Sequence, residues 1–235
     1  MWSGPRNIST AMMRAWGNRL DTFVCDEPLY AYYLRATGLA HPGAEEVIAL
    51  NETDWCKVVD WLTRARPEEK PIFYQKHMTH HLLPEIDRGW LAKVQNCFLI
   101  RHPREVITSY IIKNNDPTAE DVGFIQQAEI FELVCAQTGS PPPVLDARDI
   151  QNDPRRSLGL LCDALRVEFN ENMLSWPPGL RPTDGVWAKH WYHEVENSTS
   201  FRPWREKSDK VPSRLSEVYR RSLECYERLY EHRLR

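Results

Sequence analysis

Gly4, Pro5, Arg6, Asn7, Ile8, Ser9 and Thr10 stand at the start of the chain, directly before the apolar stretch that contains Ala11, Met12, Met13, Ala15 and Trp16. A turn of this composition opening a helix presents consecutive backbone N–H groups where the helix dipole favours an anion. Arg6 adds a guanidinium fork suited to two-point contact with an oxyanion, and Ser9 and Thr10 add hydroxyl donors. The chemistry such a loop serves is the holding of a phosphate-like group. A capped surface helix, with Ser9 and Thr10 only satisfying backbone groups, accounts for the same residues. The run also departs from the Gly-x-x-x-x-Gly-Lys-Ser/Thr phosphate loop, because no lysine precedes its hydroxyl pair.

Near the middle of the chain, Arg101 and Ser109 lie eight positions apart with Pro103 between them. If Cys97 to Ile100 is a buried parallel strand, Arg101 emerges at its carboxyl end, where open α/β sheets bind ligands. Pro103 then starts a helix, and Ser109 falls about two turns along it, within reach of the same phosphate. Taken singly, an arginine ending a strand in solvent and a serine back-bonding within its helix are equally ordinary. Taken with the first segment, the pair forms a two-ended grip on a bis-anionic nucleotide.

The elements that must position these residues alternate between short apolar runs and helical periodicity, which predicts α/β architecture with a mostly parallel central sheet covered by helices on both faces. Thr22 to Cys25, Ile72 to Gln75, Val94 to Ile100 and Val144 to Ala147 are the expected strands. Thr118 and Asp121 form a capping box expected to open a helix reaching about Gln137. Asp153 caps another helix that begins at Pro154, with Leu158, Leu161, Cys162 and Leu165 as its inner stripe. The last helix is expected from about Ser213, with Leu215, Val218, Tyr219, Tyr226 and Leu229 facing inward. At 235 residues and 42% hydrophobic, the chain can bury one sizeable core, so residues 1–235 are read as a single domain. A net charge of -3 argues against a nucleic-acid partner and makes any anion site local. No apolar run reaches the length of a membrane span and no signal-peptide pattern opens the chain, so a cytoplasmic protein is expected. The six cysteines make no Cys-x-x-Cys pair and are read as reduced core thiols.

The chain resembles the sulfotransferase family, which uses 3′-phosphoadenosine 5′-phosphosulfate (PAPS) as donor. Pro5 to Thr10 is similar to the family's 5′-phosphosulfate loop, and Arg101 with Ser109 to its 3′-phosphate motif. The stretch from Val144 to Pro154 resembles the strand, acidic loop and Asp-Pro helix start found further along such chains. Gly185, Trp187 and Lys189 only echo the family's Gly-x-x-Gly-x-Trp-Lys loop. The resemblance implies a P-loop-related fold with a strand leading into the first loop. Only Met1 and Trp2 precede Ser3, so that strand is expected to be cut short and the natural reading frame to begin upstream. Also implied is in-line transfer of a sulfuryl group to a hydroxyl or amine of a small acceptor, with Arg6 and the loop amides stabilising the departing charge and no metal required.

Two candidates compete for the base that takes the acceptor's proton. Lys76 and His77, at the end of the Ile72 strand, resemble the Lys-Thr-His run of members with a catalytic histidine, although strict alignment on Lys76 places Met78 at that position. Other branches use a glutamate after the second strand, where Glu27 stands. Histidine suits base chemistry near neutral pH, whereas a glutamate needs burial to raise its pKa, which favours His77. Each also has a plain structural use, as a histidine bonded to a loop carbonyl or a glutamate in a cap or ion pair. His77, His80 and His81 share a helical spacing but lack an acidic partner at metal-ligand distance in sequence, so no metal is expected. The many aromatic residues are core components first. Acceptor choice is assigned to loops at Arg35 to Asn51 and Gly179 to Pro203. Two other readings stand beside this one. A nucleotide-dependent kinase would use Thr10 on magnesium and Asp146 as the acidic strand-end partner. A nucleotide-binding module without catalysis would keep only the fold.

Overall fold

The computed structural model describes residues 1–235 except Lys113 and Lys207. Its described residues form a five-stranded sheet in the order β2-β3-β1-β4-β5, every neighbouring pair parallel. The strands are β1 (Trp2–Ser3), β2 (Thr22–Asp26), β3 (Ile72–Met78), β4 (Phe98–Ile100) and β5 (Val144–Asp146). Buried parallel strands read as continuous apolar runs because both faces are covered, and Phe98, Leu99 and Ile100 are each at most 1% exposed.

On one face lie α1 (Ser9–Gly17), α2 (Tyr30–Thr37), α3 (Ala44–Leu50) and α8 (Pro154–Leu165), with α9 (Ala188–Trp191) and α10 (His193–Glu196) in the late segment that packs there. The other face is covered by α4 (Trp55–Arg64), α5 (Pro103–Tyr110), α6 (Phe124–Thr138) and α11 (Ser216–Tyr230). The short α7 (Ala147–Asn152) follows β5 directly, capped by the Asp146 carboxylate on Arg148 N–H at 2.7 Å. At α8, Asp153 caps Arg156 N–H at 3.0 Å, Pro154 is the first helical residue, and Leu158, Leu161 and Cys162 are fully buried, as the sequence predicts.

Three expectations shift. The strand expected from Val94 starts only at Phe98, because Asn96 donates to Leu91 C=O (2.8 Å) and accepts from the Trp2 indole (2.9 Å), which bends the approach. The capping box does form, with Thr118 N–H donating to Asp121 (2.8 Å) and Asp121 N–H to Thr118 (3.2 Å). It closes a separate turn, and α6 begins after Gly123, whose left-handed φ of 72° breaks the continuity. Finally, Cys56 is exposed on α4, whereas Cys97 and Cys162 are buried. Among the described residues no helix is long and apolar enough to cross a membrane.

Candidate active site

The carboxyl ends of β2, β3, β1 and β4 deliver, in that order across the sheet, Glu27, Thr79, the Gly4 loop and Arg101. Parallel neighbours stand about 4.8 Å apart, which puts Glu27 roughly 10 Å to one side of the loop and Arg101 roughly 5 Å to the other. The loop rests on a close-fitting floor. A Cβ on Gly4 would meet Val122 C=O at 2.9 Å, and one on Gly123 would meet Thr79 Oγ1 at 2.8 Å. Both positions therefore need glycine for lack of space. Asn7 donates to Leu99 C=O at 3.0 Å and accepts from Ile8 N–H at 2.8 Å, pinning the turn above β4. The first bond into α1 runs from Met12 N–H to Ile8 C=O at 3.0 Å. The amides of Ser9, Thr10 and Ala11 thus lack intrahelical acceptors and face out of the helix start.

The two sequence-predicted anion motifs meet. Arg101 Nη1 donates to Arg6 C=O at 2.8 Å, and Arg6 Nε donates to Ser109 Oγ at 2.9 Å. Pro103 opens α5 as expected, with His102 Nδ1 accepting from Arg104 N–H. Arg6 has a left-handed φ of 55°, so the turn is held in a sparsely populated conformation by these bonds. The Arg6 guanidinium leans toward Ser109, and its side chain joins the Arg101 group. Arg101 is also paired with Glu105 at 2.9 Å, and Glu105 Oε1 accepts from the Trp204 indole at 3.0 Å. Arg148 lies over the Trp204 ring at 4.1 Å.

A second cluster forms at the ends of β2 and β3. Lys76 Nζ lies 2.8 Å from Asp26, 2.5 Å from Glu27 and 2.7 Å from the Tyr192 hydroxyl. The Lys76 side chain is 1% exposed, so this charge is held wholly by partners. Glu27 also has a left-handed φ, 43°. Burial pushes its carboxyl pKa up, the Lys76 ammonium opposes the shift, and the Asp26 charge adds to it. The nearby carboxylates hold the Lys76 ammonium well above its ordinary pKa against the cost of burial.

His77 is not part of this cluster. Strand alternation turns it to the opposite face from Lys76, where it stacks on Trp2 with ring centroids 4.4 Å apart and its Nε2 lies 3.2 Å from Gln75 Oε1. There it borders a cavity of about 320 Å³ at the amino-terminal side of β3, away from the loop. Burial drives its pKa well below 6.5. His81 instead approaches Glu27, Nδ1 to Oε2 at 3.9 Å, sandwiched by Tyr30 and Tyr33 with centroids at 4.7 and 4.6 Å. The three histidines are thus split between faces, and among the described residues no group of three His, Cys, Asp or Glu could hold a metal ion.

Gly185, Trp187 and Lys189 lie beside this second cluster and away from Arg101. Gly185 N–H donates to Asp26 at 3.1 Å, the Trp187 indole points at the Tyr192 hydroxyl at 3.3 Å, and Lys189 pairs with Glu46 at 2.5 Å. The two stretches read as loops are in part helical, carrying α3 in one and α9 and α10 in the other. The Lys189–Glu46 pair ties them together. Sequence reasoning passed over Asp26, Tyr192, Glu105 and Trp204. The first of these had a readable signal, an acidic residue at a strand's carboxyl end beside Glu27.

A family profile described as "Sulfotransferase domain" matches residues 1–223. Two Arabidopsis thaliana proteins are similar in sequence. Branched-chain-amino-acid aminotransferase-like protein 1 is 36% identical over 231 residues, which is 98% of this chain and 41% of that protein. Branched-chain-amino-acid aminotransferase-like protein 2 is 34% identical over 200 residues, or 85% of this chain and 35% of that protein. The chain therefore spans less than half the length of these curated relatives. In fold it is similar to the solved "Sulfotransferase Domain from the Curacin Biosynthetic Pathway", with a TM-score of 0.56 at 17% identity, covering 95% of this chain and 94% of that one.

Proposed function

The chain belongs to the sulfotransferase domain family, and from that premise we propose that it transfers a sulfuryl group from PAPS to a hydroxyl or amine of a small acceptor. The observation that carries this reading is the joining of the two anion motifs through Arg101 Nη1 on Arg6 C=O at 2.8 Å and Arg6 Nε on Ser109 at 2.9 Å. Two cradles linked this way suit one nucleoside carrying an anion at each end. PAPS, when bound, supplies the activated sulfuryl group. The outward amides of Ser9, Thr10 and Ala11, with the Ser9 and Thr10 hydroxyls, hold its 5′ end, and Arg101, Ser109 and Arg6 hold its 3′-phosphate. Because a sulfuryl group carries less charge than a phosphoryl group, fixed donors suffice where a phosphate loop would use lysine and magnesium.

Glu27 takes the role of base, since it stands at the carboxyl end of the sheet and its raised pKa brings it toward the working range. Lys76 orients that carboxylate, and His77 stacked on Trp2 has a packing role. The kinase reading loses its acidic partner: Asp146 accepts from Arg148 N–H and from the Tyr226 hydroxyl at 2.8 Å, and is spent as a helix cap. Calorimetric titration with adenosine 3′,5′-bisphosphate in magnesium-free buffer tests the proposal. Metal-independent binding is expected. Failure of the folded protein to bind it, or ATP binding that depends on magnesium, refutes the donor assignment.

A further inference from the structure

The hydroxyl of Tyr192 is the point where the second cluster's hydrogen bonds close, and its bonding can be worked out by counting protons. It lies 2.7 and 2.9 Å from the two oxygens of Asp26, 2.7 Å from Lys76 Nζ and 3.3 Å from the Trp187 indole nitrogen. An ammonium and an indole N–H only donate, and a phenol has one proton and two lone pairs. The hydroxyl must therefore accept from Lys76 and Trp187 and give its own proton to Asp26. Lys76 has three protons, and the same distances assign them to Asp26, Glu27 and Tyr192. Asp26 receives a further bond from Gly185 N–H at 3.1 Å. None of these bonds can be exchanged for another without leaving a buried group unpaired, which costs more than the bond itself gains.

Glu27 differs from its neighbour. Among the described residues its ion-pair partner is Lys76 at 2.5 Å, with the Tyr192 hydroxyl near, His81 Nδ1 at 3.9 Å and the Tyr30 ring packed alongside His81. Where the ammonium sits therefore determines how Glu27 is held.

Resting on the reading of Glu27 as base, we infer that Tyr192 is a positioning residue: by accepting from Lys76 while donating to Asp26, it fixes the ammonium between the two carboxylates and sets the proton affinity of Glu27. The segment carrying Tyr192 is itself anchored to α1 by the buried Arg14–Asp184 pair, whose side chains are 1% and 3% exposed. The acid–base centre is thus completed by a part of the chain 166 positions from Asp26.

The test is a carbon-13 NMR titration of protein labelled at glutamate side chains, with the Glu27 signal assigned by its loss in Glu27→Gln. Facing Glu27 are Lys76 on β3, Asp26 on β2, Tyr192, His81 and Tyr30, so each variant changes one of these alone. Tyr192→Phe keeps the ring, including its 5.0 Å contact with Lys76, and removes only the hydroxyl. It should raise the Glu27 midpoint by about half to one pH unit, since the ammonium is no longer held toward the carboxylate. Asp26→Asn removes the negative charge that favours the protonated acid and should move the midpoint the opposite way. A purely packing role for the tyrosine predicts an unmoved midpoint in Tyr192→Phe, and that result overturns the inference. If Tyr192→Phe does not fold, Asp26→Asn decides, and an unmoved or raised midpoint there overturns it. The readout needs no turnover. Loss of the functional reading would show separately, as full turnover in Glu27→Gln.

Discussion

Replacing Arg101 with lysine keeps the charge and removes the fork, which makes it a sharp probe of how the donor grip is built. Arg101 acts in two directions at once: Nε and Nη2 hold Glu105 at 2.9 Å, and Nη1 holds Arg6 C=O at 2.8 Å. A lysine ammonium is a single point on a flexible stem and cannot span both partners. The nearby Glu105 carboxylate would capture it, leaving the Arg6 carbonyl without its donor. A hydrogen bond from a charged donor is worth about 1.5–3 kcal/mol. At about 1.4 kcal/mol per decade, that is roughly a 10- to 150-fold loss of affinity for adenosine 3′,5′-bisphosphate. Because the charge is conserved, the salt dependence of binding should stay the same, which separates loss of geometry from loss of electrostatic attraction. Calorimetry of wild type and Arg101→Lys at two ionic strengths reads both quantities. Affinity within threefold of wild type in a folded variant would refute the idea that the guanidinium's link to the Arg6 carbonyl shapes the site.

Glu27→Gln should reduce turnover by about 10²- to 10⁴-fold, as expected for removal of a general base, while bisphosphate affinity stays within threefold; a panel of phenol, alcohol and amine acceptors with detection of released adenosine 3′,5′-bisphosphate reads the first effect. Since burial raises the Glu27 pKa, the wild-type rate should fall with decreasing pH at values above the ordinary carboxylate range, and a limb at that ordinary range would contradict the assignment. Asp146 predicts a pH dependence of stability: burial raises its pKa from 3.8 to about 6 against the bonds from Tyr226 and Arg148. A raised folded pKa gives stability that is present below pH 3.8 and lost as pH rises through about 6, a change of roughly 3 kcal/mol. Denaturant unfolding of wild type and Asp146→Asn between pH 4 and pH 8 should show that difference narrowing in the variant, and parallel curves would exclude it.

What could be read from the chain was what neighbours in sequence determine. Arg101, Pro103 and Ser109 lie on one strand end and the helix that follows it, so residue types and an eight-residue spacing were enough to bring them to one place. Asp153 and Pro154 at α8 were legible for the same reason. The Thr118–Asp121 box shows the limit. Its two local bonds form, yet the helix waits for Gly123, because the loop after β1 needs that left-handed glycine beneath it. His77 and Lys76 show another limit. Alternation says they face opposite ways, but which face meets the reactants depends on where the Tyr192 segment packs.

That segment is placed largely by polar anchors. Asp184 reaches Arg14 on α1, Gly185 N–H and the Tyr192 hydroxyl both reach Asp26, and Lys189 reaches Glu46 on α3. Between Gly179 and Tyr192 no strand carries it, and its one helix there is the four-residue α9. Apolar contacts such as Trp187 and Tyr192 in the core are non-directional and would tolerate sliding. The Arg14–Asp184 pair and the bonds to Asp26 do not, because each displaced partner would be left buried and unpaired, whereas the exposed Lys189–Glu46 pair adds little. Buried ion pairs add little net stability compared with apolar packing, yet they are costly to break from one side. In this fold they serve to register a distant segment against Lys76 and Glu27, which accounts for Tyr192 arriving at the strand ends without any sequence pattern to announce it.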